Sequence, residues 1–127
     1  MLIAAGAKID VTDNRGRQPL IVAVDWGNVE ATKALLSAGA KVDIFDPNGL
    51  QPIHIAAYED ERQIDLVRLL LAAGASPESL DKNGAQPLHW AARKGSPKIA
   101  KLLLEAGAKV DATDNDGDQQ GLRTRMP

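Results

Sequence analysis

The sequence holds no cysteine, so neither a disulfide nor a thiolate metal site is open to it. Aromatic residues are almost as scarce: two Trp, one Tyr and one Phe make up 3% of 127 residues. A core without aromatics has to be assembled from Leu, Ile, Val and Ala, which suits thin helices packed closely together. No apolar run approaches the roughly 18 residues of a membrane span. The opening Met1-Leu2-Ile3-Ala4-Ala5-Gly6 is too short for a secretory signal and has no basic residue before it. Net charge is −2, which supplies no general attraction for nucleic acid. These absences point to a soluble intracellular protein, cytoplasmic by default, with neither a membrane nor a nucleic acid as partner.

What the sequence does contain is a repeat. Asp13-Asn14-Arg15-Gly16-Arg17-Gln18-Pro19-Leu20 returns as Asp46-Pro47-Asn48-Gly49-Leu50-Gln51-Pro52-Ile53 and as Asp81-Lys82-Asn83-Gly84-Ala85-Gln86-Pro87-Leu88. It starts again at Asp114-Asn115-Asp116-Gly117, so successive aspartates are 33, 35 and 33 residues apart. A second phrase keeps step: Leu35-Leu36-Ser37-Ala38-Gly39-Ala40, Leu70-Leu71-Ala72-Ala73-Gly74-Ala75 and Leu103-Leu104-Glu105-Ala106-Gly107-Ala108. Leu2-Ile3-Ala4-Ala5-Gly6-Ala7 is the same phrase without its front half. The units therefore divide as the end of a truncated repeat at 1–12, full repeats at 13–45, 46–80 and 81–113, and the start of another with an expected disordered tail at 114–127.

Each unit has a physical reading. Asp-x-x-Gly is turn chemistry, and the proline that follows suits a first helical turn, where its missing N–H costs nothing. Short helices are expected at Leu20–Trp26, Ile53–Tyr58 and Leu88–Arg93, the first and last of them stopped by Gly27 and Gly95. Longer second helices follow, with apolar faces at Ala31, Ala34 and Leu35, at Leu66, Leu69 and Leu70, and at Ile99, Leu102 and Leu103. Gly39, Gly74 and Gly107 end them. Pairs this small cannot bury their own apolar faces, whereas stacked neighbours can, which gives a row of helix pairs with turns projecting from one edge.

This period, together with Pro87-Leu88-His89-Trp90-Ala91 and its variant Pro52-Ile53-His54-Ile55-Ala56, resembles the ankyrin repeat. The resemblance implies an all-α solenoid of stacked helix-turn-helix units with projecting β-turn or hairpin tips. It departs from the family in two ways. Gln18, Gln51 and Gln86 stand where the family has Thr, and Ile21 replaces the motif His in the first full repeat, so the hydrogen bonds made there are expected to be missing. The 46–80 unit has two extra residues around Tyr58-Glu59-Asp60-Glu61-Arg62-Gln63 and no stop glycine, read as a solvated insertion or, more sharply, as an acidic bulge against a partner. Neither end shows the polar outer face of a terminal repeat, and 118–127 has no helical period.

Nothing in the sequence assembles a catalytic or cofactor site. His54 and His89 both occupy the motif position and read as structural. Asp114, Asp116 and Asp118 open like a calcium loop, but Gln119 holds the place of the loop glycine and no Glu closes it. The resemblance implies instead that another protein is the partner, met by the turn tips and the exposed side of the first helices. Carried onto this sequence, those positions give Arg15, Arg17, Asp25, Trp26, Phe45, Leu50, Tyr58, Glu59, Lys82, Arg93 and Lys94, with Trp90 on the inward side of its helix beside them. Three of the four aromatics fall on this surface, where anchors for a partner belong. The competing readings are a regulatory or targeting arm of a larger enzyme or channel, and self-association through the uncapped ends.

Overall fold

Each repeat is closed at its tip by one aspartate. The computed structural model describes residues 11–108, and in all three full repeats the same Oδ1 accepts two backbone N–H groups. Asp13 takes those of Arg15 and Arg17, Asp46 those of Asn48 and Leu50, and Asp81 those of Asn83 and Ala85, all at 2.9 Å. A side-chain acceptor reaching its own turn in this way makes the turn before any helix forms. The units at 1–12, apart from Val11 and Thr12, and at 114–127 lie outside the described residues.

Behind each turn stand two helices. They are α1 (Pro19–Asp25) and α2 (Val29–Ser37), α3 (Pro52–Ala57) and α4 (Ile64–Ala72), and α5 (Pro87–Lys94) and α6 (Pro97–Glu105). No strand occurs among the described residues, so the tips there are turns rather than hairpins. Proline opens α1, α3 and α5 as expected. Asn28 and Ser96 cap α2 and α6 by accepting from the N–H groups of Ala31 and Ile99. The two-residue insertion replaces that cap with a 3-10 turn, Glu61–Gln63, leading into α4.

The buried stripe of the second helices runs i, i+4: Ala31 and Leu35, Leu66 and Leu70, Ile99 and Leu103. Ala34, Leu69 and Leu102, expected on the same face, are only half-buried. Thr32 and Val67 are buried in their stead, because the contact stripe is rotated toward the neighbouring repeat. Thr32 is tolerated there since its hydroxyl donates to the Asn28 carbonyl at 2.7 Å. Ala31, Leu35, Leu66, Val67, Leu70, Ile99 and Leu103 join Leu20, Ile21, Val24, Ile53, Ala56, Leu88 and Ala91 in one core running the length of the described stack. Each fully buried Leu, Ile or Val contributes about 1.5–3 kcal/mol, nearly all of it through contact with other helices.

The two joints between full repeats are held differently. At the second joint, His54 Nδ1 accepts the Gln51 N–H at 3.2 Å, so Nε2 carries the proton and donates to the carbonyls of Ser79 (2.9 Å) and Ala85 (3.0 Å). Gln51 Nε2 donates to the Leu80 carbonyl at 3.1 Å, and with the Ser79 bond this holds the end of repeat 46–80 against the joint. The Lys82 N–H donates to the Gly49 carbonyl at 2.9 Å, which ties one turn to the next. At the first joint each of these is missing. Ile21 has no donor, Pro47 has no N–H at the position of Lys82, and Gln18 makes no side-chain bond among the described residues. Packing joins repeats 13–45 and 46–80 without the hydrogen bonds of the second joint among the described residues.

Burial, the main influence, pushes the His54 pKa below its ordinary 6.5, against the opposing pull of the Asp81 charge. The geometry agrees, since a proton on Nδ1 would expel the Gln51 N–H. The unfolded chain then takes up a proton that the folded ring refuses. The resulting stability is fully present above about pH 6.5 and declines as pH falls below it. His54→Leu is expected to cost about 2 kcal/mol in urea unfolding at pH 7 by stranding buried carbonyls. Its stability should also depend less on pH between about 6.5 and 5 than the parent's, and an unchanged slope would contradict the assignment.

Gly49 is constrained twice. Its φ is +85°, and a Cβ there would lie 2.7 Å from Lys82 Cβ. Gly39 has φ +94° but open space around it. Gly49→Ala should therefore destabilise by clearly more than the roughly 1 kcal/mol expected of Gly39→Ala; equal midpoints in urea would contradict the close approach of the turns.

Candidate partner-binding face

A groove of about 480 Å³ crosses the first joint on the side where the turns and first helices meet solvent. Ile21 and Ile55, both buried, form its apolar base. Leu50, Pro47, Tyr58 and Trp90 add apolar and aromatic wall, and Arg15, Arg17, Asp25, Asp46, Asn48 and Glu59 bring polar groups to it. It thus draws on three consecutive repeats. A groove of mixed lining over a preformed base is the usual form of a site for a peptide segment.

The charges in it are unevenly satisfied. The Arg17 guanidinium bridges Asp13 and Asp25, each at 3.2 Å. The Arg17 backbone N–H is the chief reason the Asp13 carboxyl sits below its ordinary pKa, aided by the Arg15 N–H and the Arg17 charge against a little burial. Glu59 is shifted upward by partial burial first and the Asp25 charge second, with Lys94 opposing. Asp46 differs from its two counterparts. The outer oxygen of Asp13 is taken by Arg17 and that of Asp81 by the Trp90 indole N–H at 3.0 Å. In the middle repeat the equivalent positions are Leu50 and Ile55, so Asp46 Oδ2 has no partner among the described residues.

Aromatic rings and cations interleave along the same side. Tyr58 meets Trp90 edge-on, with centroids 5.5 Å apart and an interplanar angle of 82°. Arg93 lies over Trp90 at 5.1 Å, Lys94 over Tyr58 at 5.3 Å and Lys82 over Phe45 at 5.2 Å. Trp90 is half-buried and held by Asp81, so it packs and faces the groove at once.

Trp26 stands apart from this set. It is 78% exposed and borders a different, mainly apolar depression of about 390 Å³ with Val11, Pro19, Val22, Ala23 and Ala31. That is the flank of repeat 13–45, the kind of surface a preceding unit covers in stacked arrays. The structure thus separates Trp26 from Asp25, its neighbour in sequence, because one points along the stack and the other into the groove.

The insertion in the middle repeat turns out to be braced by both neighbours. Gln63 packs against Gly27, where a Cβ would come within 3.1 Å of its side chain, and Glu61 Oε1 accepts the Lys98 N–H at 3.1 Å. A carboxylate at the start of α6 complements the unsatisfied N–H groups there. Lys33, Lys98 and Lys101 are exposed on the second helices.

Stacked pairs of short helices, capped at their turns and grooved along the turn side, define a helical repeat protein. The chain belongs to the ankyrin-repeat family: the model of ankyrin repeats in three copies matches residues 1–81 and 41–114. No curated protein matches the chain. Proteins of this family are generally protein-interaction modules. Among the described residues, no helix is long and apolar enough to cross a membrane.

Of the positions read from the sequence, Arg15, Arg17, Asp25, Leu50, Tyr58, Glu59 and Trp90 come together in the groove. Arg93, Lys94 and the Phe45–Lys82 pair extend the same side beyond it. Ile21, Asp46 and Ile55 were not among them, since Ile21 and Asp46 read as a lost motif residue and a turn former. Ile55 shares the register of Trp90, and that equivalence was the available signal. Trp90→Ala is expected to cost about 2–3 kcal/mol by removing a half-buried ring and leaving Asp81 short of a donor. Trp26→Ala should change stability by less than about 0.5 kcal/mol. Reversed magnitudes in urea titrations would contradict these placements.

Proposed function

We propose that this chain is a protein-binding module, and that a segment of the partner lies in the groove over the joint between repeats 13–45 and 46–80. The observation that carries this is the groove itself, with a buried isoleucine base, an aromatic wall and a carboxylate oxygen on Asp46 left without a donor. Its mechanism is positional. The aspartate-capped turns and the Tyr58–Trp90 contact hold the contact groups in place before binding, so little ordering entropy is lost on association. The protein acts by holding rather than transforming its partner. Within the proposed face the contacts are Arg15, Arg17, Asp25, Leu50, Tyr58, Glu59 and Trp90, with Phe45, Lys82, Arg93 and Lys94 along its extension; Trp26 lies off this face.

A partner captured from extract by the 1–127 chain and identified by mass spectrometry provides the ligand for the test. Leu50→Ser/Tyr58→Ala is expected to weaken its binding by about ten- to a hundredfold, as loss of a central apolar anchor does. Lys33→Ala/Lys101→Ala, on the second helices, should leave it unchanged. Equal binding by the groove variant and the parent, measured by calorimetry, would rule the reading out.

A further inference from the structure

The positions that face a partner are not charged alike from repeat to repeat. At the residue after the turn aspartate stand Asn14, Pro47 and Lys82; at the end of the first helix stand Asp25-Trp26, Tyr58-Glu59 and Arg93-Lys94. Every one of these positions is cationic in repeat 81–113 and none is in the other two. Resting on the proposed reading of this side as the binding face, we infer that Lys82, Arg93 and Lys94 anchor a carboxylate-rich stretch of the partner protein.

Three observations carry this. The first concerns neutralisation. Arg17, in the groove, is already matched by Asp13 and Asp25, whereas the Lys82 and Lys94 ammonium groups form no ion pair among the described residues, the Lys94 charge acting on Glu59 only at longer range. Both lysines are exposed. The second concerns position. Each of the three cations is seated on a ring, Lys82 on Phe45, Arg93 on Trp90 and Lys94 on Tyr58, at 5.1–5.3 Å. Trp90 is itself fixed by Asp81 and by the edge of Tyr58. Long cationic side chains usually lose rotamer freedom when they bind, and here part of that ordering precedes the partner.

The third observation selects the kind of partner. A nucleic acid would also meet cations and aromatics, but single strands bind by laying bases on open ring faces. Here cations lie over the Phe45, Tyr58 and Trp90 rings. The adjoining groove offers Asp46 and Glu59, which repel a continuous phosphate backbone. A protein segment can change character along its length, with acidic residues over repeat 81–113 and apolar or basic ones over the groove. Charge complementarity of this type sets orientation and association rate more than affinity.

The probe is a synthetic peptide about 12 residues long, alternating Glu with Ser and Leu, titrated into the 15N-labelled chain. It should shift the amide resonances of Lys82, Arg93 and Lys94 and the Trp90 indole, and bind several-fold more weakly as NaCl rises from about 50 to about 300 mM. Lys82→Glu/Lys94→Glu should weaken it roughly tenfold or more, and Lys82→Gln/Lys94→Gln by a smaller factor, with melting temperatures close to the parent's. No binding of the Glu peptide, undiminished binding by the charge-reversed variant, or equal binding of a Lys-for-Glu peptide would overturn the inference. So would a single-stranded oligonucleotide occupying the same residues more tightly than the Glu peptide. The titration needs no captured partner, so it is decided separately from the groove. A captured protein sensitive to Leu50→Ser/Tyr58→Ala but indifferent to the charge reversal would remove the acidic anchor and leave the binding module standing.

Discussion

Helices of six to nine residues are too short to persist alone in water. Each pair in this protein holds through the apolar surface it shares with the next, so stacking is the condition for every other feature. Leu66 and Leu70 are sealed only because repeats sit on both sides of them. Stacking in turn demands that the turns lie at a constant spacing. The aspartate cap provides this, making the same pair of 2.9 Å bonds in all three full repeats.

Polar bonding between repeats is unequal, and the inequality coincides with the candidate site. Where His54 and the Lys82 N–H tie repeat 46–80 to repeat 81–113, the turn side is occupied by interlocked rings and cations. Where Ile21 and Pro47 remove those bonds, the groove opens over the joint. A joint held by packing without directional bonds tolerates small changes of angle better than one held by them. In an array whose units are otherwise closely alike, such a place is suited to admit another chain.

Much of this was legible in the sequence. The period, the turns, the proline starts and the six helices follow from residues whose effects are local, an aspartate bonding its own turn or a proline opening its own helix. The family motif carried an expected partner side onto named positions, and seven of these meet in one groove. Ala34, Leu69 and Leu102 were misplaced because helical spacing defines a stripe without saying how far the next repeat rotates it. The insertion around Glu61 and Gln63 read as a loop or bulge because its two supports, Gly27 and Lys98, lie in other repeats.

The sequence by itself determined the architecture, since propensity, capping and repeat spacing act over a few residues and add up along a stack. Tertiary structure alone decided which side chains share a surface. It set Trp26 on the flank and Asp25 in the groove, put Tyr58 against Trp90, and left Asp46 without the donor that Arg17 and Trp90 supply to its counterparts. Those outcomes depend on distances between atoms some 30 residues apart, which only the packing of one repeat on the next brings together.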